Sequence, residues 1–293
     1  TFLEKDKSPV LRARNSKKED LNVEKENYMQ LVSKAIDTIS NNFFEKVVLS
    51  RRRAIECEES IDIAESLIKL CEKYPNAFVS AVYLPQINEI WLGASPELLV
   101  SLDEEGIFKT MSLAGTQLAF EKDGSKIDPS SARWSQKEIE EQAFVSRYII
   151  ECFKKVRVRE YIEIGPKTVE AGNLLHLQTT FSVDTKAIEF NQFATVLLGL
   201  LHPTSAVCGM PKASSMEFIL KNENYDREFY SGFLGPINIK NSSAIFVNLR
   251  SLKIKGNMAY LYAGAGITED SDPEREWNET EIKLETLLSV IHD

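Results

Sequence analysis

The stretch Ser243–Ile267, SAIFVNLRSLKIKGNMAYLYAGAGI, decides the fold class. Two runs rich in aliphatic and aromatic residues flank Lys255-Gly256-Asn257. Gly and Asn accept the left-handed backbone that a tight turn demands, so the stretch reads as paired strands turning there. Behind it comes DPEREWNETEIKLETLL (Asp272–Leu288), in which Asp272 is a good N-cap and Pro273 suits the first helical position. Ahead of it, KVVLS reads as a buried strand, AFVSAVYLP, EIWLGA and ELLVSL as short strands, IFKTMSL as a further strand, and LLHLQTTFSV as strand-like. Helical spacing begins near Tyr28, with Leu31, Ala35 and Ile39 on one face, and recurs at Ile63, Leu67, Leu70 and Cys71. A long amphipathic helix is expected from about Ser135 to about Val156, with shorter ones over NQFATVLLGLL and SMEFILKN. Adjacent strands with grouped helices predict an α+β fold, not a regular βαβ alternation.

The chain has 293 residues, 43% of them hydrophobic, enough for one sizeable core. Residues 1–25 are dense in charge and are expected to form a mobile lead-in, with one domain over 26–293. Because the sequence starts at Thr1, not Met, a cut N-terminus is expected. A net charge of -9 argues against nucleic acid as a partner, since phosphate neutralisation needs clustered Lys and Arg. Cys57, Cys71, Cys152 and Cys208 show no CxxC spacing, and no apolar run is long enough to span a bilayer. Reduced thiols, a cytoplasmic location, no membrane partner and a monomer follow as expectations.

Two Glu-x-x-Glu pairs stand out, Glu138/Glu141 and Glu276/Glu279. Residues three apart share a helix face, with Cβ atoms about 5–6 Å apart. The plain reading is a solvated acidic face; if both helices flank one cleft, the four carboxylates suit a hard divalent cation such as Mg²⁺. No His/Cys cluster competes, which disfavours zinc. Lys46 opens an apolar strand, as a snorkelling edge lysine or as a desolvated base. Glu97, before an apolar run, is either an exposed turn residue or an acid held protonated by apolar surroundings. Arg250 interrupts a strand and needs an anion if it faces inward. Gly264 and Gly266 leave room for backbone N–H groups to approach an anion, although Glu269 at the third glycine position breaks the dinucleotide fingerprint. His176 and His202 read as satisfied core or turn histidines before metal ligands.

Taken in order, KVVLSR, GASPELLV, LAGT, KEIEEQ, HLQT, LHPTSAVCGMPK, YSGFLGPI, VNLRS, YLYAGAGIT and EREWNETEIKLETLL resemble the chorismate-utilising enzymes. That family includes isochorismate, salicylate, anthranilate and aminodeoxychorismate synthases. The resemblance runs from about Phe44 to the C-terminus, and this chain is shorter at its N-terminus than members usually are. It implies two antiparallel sheets packed as a sandwich with helices outside and a deep cleft. It implies Lys46 as general base and Glu97 as general acid. It further implies Mg²⁺ held directly by Glu141 and Glu279, with Glu138 and Glu276 acting through water. Arg250, Tyr230, Gly264, Gly266 and Lys283 would hold substrate carboxylates, and Gly115, Thr116 and His176 would line the cleft. The usual Glu-His pair reads Glu141-Gln142 here, with little expected effect on the metal.

Three positions discriminate within the family. Ala114 before Gly115-Thr116 replaces the nucleophilic lysine of aminodeoxychorismate synthases. Lys46 replaces the glutamine usual in anthranilate synthases. Ala206 resembles isochorismate synthases, whereas GMPK is nearer the anthranilate type. The expectation is an isochorismate synthase, an isomerase of menaquinone or siderophore biosynthesis. A salicylate synthase, an anthranilate synthase component I-like enzyme and a non-catalytic chorismate binder are the alternatives.

Overall fold

A computed structural model describes residues 13–14, 18–57, 61–121, 123–171 and 173–291. In chain order its elements are β1 (Ala13–Arg14), α1 (Lys18–Ser40), β2 (Lys46–Cys57), α2 (Ile63–Lys73), β3 (Phe78–Leu84), β4 (Glu89–Ser95), β5 (Leu98–Leu102) and β6 (Ile107–Leu118). Then follow α3 (Gln136–Lys155), β7 (Ile162–Ala171), β8 (Leu174–Asp184), α4 (Phe193–Leu201), β9 (Gly209–Met210), α5 (Lys212–Asn222) and β10 (Phe233–Leu234). Last come β11 (Ser243–Val247), β12 (Ser251–Lys255), β13 (Met258–Ile267) and α6 (Pro273–Ile291). One sheet runs β1-β2-β13-β12-β4-β3, with β9 also on β2; the other runs β10-β11-β5-β6-β8-β7. All pairings are antiparallel. The class is α+β, as the grouping of strands and helices predicts.

Each sheet buries one face under helices. On the second sheet, Phe108 and Phe181 meet Phe153 of α3 and Phe193 of α4, all fully buried. Burying each such ring is worth up to about 3 kcal/mol. On the first sheet, α2 and α6 cover Ile55, Leu92, Leu252 and Leu261, while α1 and α5 cover Val47, Leu49, Ala265 and Ile267. The residues between these, such as Val48 and Gly266, therefore face the other sheet, because successive strand residues alternate sides. Across that inner gap Phe78 stacks on Phe246 at 4.5 Å, and Trp91, Tyr262 and Tyr230 form a continuous ring stack.

The chain changes sheets at two neighbouring crossings. Ser95-Pro96-Glu97 leads from β4 to β5, and Asn248-Leu249-Arg250 leads from β11 to β12. They are stitched together: Ala94 N donates to Arg250 O at 3.0 Å and Val247 N to Glu97 O at 3.0 Å. The Ser95 hydroxyl donates to Val247 O at 2.5 Å. Gly93 keeps the passage narrow, since a Cβ there would meet Ser251 Cβ at 3.2 Å.

Two expectations need correction, on the lead-in and on Arg250. The charged lead-in does not run to residue 25: helix α1 starts at Lys18, where Lys25 pairs with Glu274 and Glu24 with Arg51. Residues 1–12 and 15–17 of that lead-in lie outside the described residues. The Gly256-Asn257 turn joins β12 to β13, with Lys255 opposite Met258. Arg250, though, lies between strands and not within one, with a left-handed φ of 47°. The cysteines are free thiols, Cys71 exposed and the other three buried. No helix among the described residues is long and apolar enough to cross a membrane.

Candidate active site

A cleft of about 640 Å³ opens between the two sheets, and both crossings reach it. Glu97, on the first crossing, is 3% exposed. Burial pushes its carboxyl up to about 7, against the pull of Lys46, a hydrogen bond from Thr204 and the charge of Lys283. Thr204 Oγ1 donates to Glu97 Oε1 at a long 3.5 Å. A carboxyl in this state is shared between acid and base near neutral pH. Arg250, on the second crossing, donates to Thr286 Oγ1 at 3.1 Å and lies 3.3 Å from His176 Nε2.

His176 is placed by a bulge. Ala114 pairs with Leu177 and Gln117 with Leu175, so Gly115 and Thr116 together oppose His176. Gly115 takes φ 70°, open to glycine at little cost. Its carbonyl lies 2.6 Å from His176 Nδ1. A carbonyl only accepts, so Nδ1 carries the proton and Nε2 accepts from Arg250. Burial first, then the Arg250 charge, lower the imidazole pKa to about 3, so His176 is neutral at working pH.

The third wall is the inner edge of β13. Gly264 faces Ser50 and Gly266 faces Val48 of β2. The amides of Ser50 and Val48 bond elsewhere, to Glu223 and to Cys208 O. These are therefore non-hydrogen-bonded pairs, and the peptide groups of Gly264 and Gly266 point away from β2. Lys283 Nζ donates to Gly264 O at 2.8 Å and to Glu279 Oε1 at 2.6 Å. Gly266 leaves space that side chains fill: a Cβ there would meet Lys46 Cε at 2.9 Å and run into the Glu141 carboxylate. Lys46 is fully buried. Its Nζ lies 3.1 Å from Glu141 Oε1 and makes no hydrogen bond among the described atoms.

The two Glu-x-x-Glu helices, α3 and α6, come together here. Glu141 and Glu279 both line the cleft. Burial pushes Glu141 up, but the ammonium groups of Lys46, Lys137 and Lys283 outweigh it and hold the carboxyl at about 2. Glu138 instead closes a capping box on its own helix, accepting from Ser135 N at 2.7 Å and from the Ser135 hydroxyl. Glu276 is 1% exposed. Burial and the neighbouring Glu279 raise its carboxyl to about 7, and Lys137 Nζ donates to it at 2.6 Å. The all-oxygen donor set, two carboxylates on the cleft wall and the unpartnered buried Oε2 of Glu276 fit a Mg²⁺-type ion. Among the described residues no three such ligands already converge on one point; an ion that keeps several waters does not require them to.

Of the residues expected from sequence, the cleft wall holds Glu97, Gly115, Thr116, Glu141, His176 and Ala206, and also Tyr230, Arg250, Gly264, Gly266, Glu279 and Lys283. Lys46 lies just behind that wall, and Glu138 and Glu276 stand outside it, on the same helix faces. Lys137, Thr204 and Thr286 were not anticipated. Lys137 had a signal: it precedes Glu141 by one helical turn, hence shares its face. Gln142 bonds Ser112 Oγ at 2.7 Å and Thr179 Oγ1 at 3.1 Å, fastening α3 to the sheet.

A family model described as chorismate binding enzyme matches residues 1–292. Isochorismate synthase EntC of Escherichia coli K12 is 31% identical over 270 residues, covering 91% of this chain and 67% of that protein. The menaquinone-specific isochorismate synthase MenF of Escherichia coli superposes with a TM-score of 0.82 at 25% identity, over 100% of this chain and 66% of that one. DhbC from Bacillus anthracis, provisionally described as a 2,3-dihydroxybenzoate-specific isochorismate synthase, superposes with a TM-score of 0.81 at 30% identity, over 91% and 72%. The chain thus spans about two thirds of the length of these curated relatives. By the family match over its whole length, by its fold and by its relatives, this chain belongs to the chorismate-binding enzymes.

Proposed function

We propose that the chain is a Mg²⁺-dependent isochorismate synthase, isomerising chorismate by adding water at ring carbon 2 and expelling the hydroxyl at ring carbon 4. The observation that carries this reading is Glu97, buried at the cleft wall with its carboxyl raised to about 7. That is the state a general acid needs to protonate a departing hydroxyl near neutral pH. Lys46 would supply the opposite function, and only as the neutral amine: in that form it takes a proton from the attacking water, and its Nζ, without a hydrogen-bond partner among the described atoms, has room for that water. The new C–O bond forms at carbon 2, the old one breaks at carbon 4, and the ring double bonds shift between them. Water enters and water leaves, so substrate and product are isomers.

The remaining residues bind and orient. Arg250 and Lys283 face the substrate's carboxylates, with the amides of Gly264 and Gly266 and the hydroxyl of Tyr230 beside them. Neutral His176 fixes the Arg250 fork without adding charge. Glu141 and Glu279 would hold Mg²⁺, with Glu138 and Glu276 behind them, and the bound ion would neutralise a substrate carboxylate and polarise the diene. Similarity to both EntC and MenF supports the reaction, and siderophore and menaquinone synthesis would draw on the same product.

The test is to incubate the protein with chorismate and Mg²⁺, with and without ammonia, and to separate the products. Isochorismate alone supports the proposal. Salicylate with pyruvate selects salicylate synthase, anthranilate with ammonia selects the anthranilate type, and no turnover selects a binder.

A further inference from the structure

Three carboxylates at the α3–α6 junction each carry one ammonium. Lys46 lies 3.1 Å from Glu141, Lys137 2.6 Å from Glu276 and Lys283 2.6 Å from Glu279. Two of these lysines have other duties in the proposed reaction. Lys137 has none, and it does not line the cleft.

Its position is unfavourable in its own helix. Lys137 is the second residue of α3, at the positive end of the helix dipole, where a cation costs about 0.3–1 kcal/mol. What holds it there is the other helix. Glu276 is almost fully buried, and an unpaired carboxylate in that position is costly. The charges of Glu279 and Glu141 also act on Lys137. One ammonium thus answers carboxylates from both helices, which is the service a divalent cation would render.

We propose that Lys137 is an internal counter-cation which clamps α3 to α6 and must release Glu276 before a divalent cation can settle between the helices, so that Lys137 sets the affinity for the metal. This rests on the Mg²⁺ reading above. The consequence is a cation site held weak while the cleft is empty. Divalent charge arriving alone meets three carboxylates already matched by three ammonium groups. A dianionic substrate changes that balance, so cation and substrate bind with mutual reinforcement.

The test is Mn²⁺ binding by the purified protein without chorismate, read by electron paramagnetic resonance. Lys137→Gln removes the charge and keeps a hydrogen-bond donor for Glu276, so the fold is retained; Lys137→Met removes both. Lys137→Arg keeps the charge. The expected result is Mn²⁺ affinity at least tenfold higher in Lys137→Gln, higher again or equal in Lys137→Met, and within threefold of the parent in Lys137→Arg. A purely structural bridge would lower the melting temperature of Lys137→Met and leave Mn²⁺ affinity unchanged in Lys137→Gln; that result overturns the proposal. If the parent binds Mn²⁺ but Lys137→Gln binds it more weakly, the proposal is likewise overturned while the metal reading stands. If neither parent nor variants bind Mn²⁺, with or without chorismate, the metal reading falls and takes the clamp with it.

Discussion

Replacing Glu97 by Gln separates what the fold needs from what the reaction needs. The Glu97 carboxyl is raised from an ordinary 4.5 to about 7, chiefly by burial. The folded protein therefore favours the protonated form. Its contribution to stability is full below about 4.5 and is lost as pH rises through about 7. A tenfold change in proton affinity is worth about 1.4 kcal/mol. At pH 8 the ionised, desolvated carboxylate thus costs the fold about 3 kcal/mol; at pH 5 the cost is ~1 kcal/mol. Since Glu97 is 3% exposed, solvent screening removes little of this.

Gln fills the same volume, still accepts from Thr204 and never ionises. For a chain of this length the unfolding entropy is about 0.6 kcal/mol/K, so 3 kcal/mol corresponds to about 5 °C. Glu97→Gln should melt about 5 °C above the parent at pH 8 and within about 1–2 °C of it at pH 5. The comparison is made by scanning calorimetry in matched buffers without substrate. The same variant should lose about 10²- to 10⁴-fold in turnover, the range of a general acid. A variant no more stable at pH 8 refutes the desolvation argument; a variant that is more stable but fully active refutes the catalytic role.

Three further outcomes follow from the geometry. Gly266→Ala drives a methyl against Glu141 and Lys46 Cε, and turnover should fall at least about tenfold with the far-ultraviolet dichroism unchanged. Arg250→Lys loses the planar fork that reaches both Thr286 and His176; steady-state kinetics should show KM for chorismate raised about tenfold with a smaller change in kcat. Arg51→Ala strips a guanidinium that stacks on Trp277 at 3.8 Å and bonds Thr280, Glu24 and Glu281. Because both glutamates can rehydrate, a thermal melt should show a loss of about 2 kcal/mol, or roughly 3 °C.

Most of the helices were legible because their signals are local. Asp272 accepts from Arg275 N at 2.9 Å as an N-cap should, and the Ser135 capping box starts α3 where its spacing begins. Strand β7 was not legible: IEIGPKTVEA is charged, carries Gly165-Pro166 and lies exposed at a sheet edge, where no alternating apolar pattern is required. Glu281 looks like any other charged residue of an acidic helix, yet it accepts from both Arg51 and Arg53. Nothing near residue 281 reveals that two arginines of β2 stand beneath it. The site showed the same division. Ordered motifs named the residues around the cleft, but they did not show that Lys46 and Glu97 are buried, because that burial depends on the opposite sheet.

Arg250 shows why the crossings matter. In IFVNLRSLKI it reads as one polar residue in a continuous strand, whereas the chain leaves one sheet and enters the other within three residues. The turn costs a left-handed φ of 47° at a residue with a Cβ, about 1 kcal/mol or more. Helical or strand backbone at this point would keep the guanidinium in a sheet face; the strained turn directs it to Thr286 and His176 instead. There its partners are a hydroxyl and a neutral imidazole, and no carboxylate of the described residues lies within ion-pair distance. Lys46 and Lys283 at the same cleft are each answered by a glutamate. The fold thus spends strain to present one cation whose charge is left for a ligand, and a proton on His176 would repel that cation and remove its acceptor. Burial, by holding that imidazole near 3, keeps Arg250 in place across the pH range in which Glu97 can act as an acid.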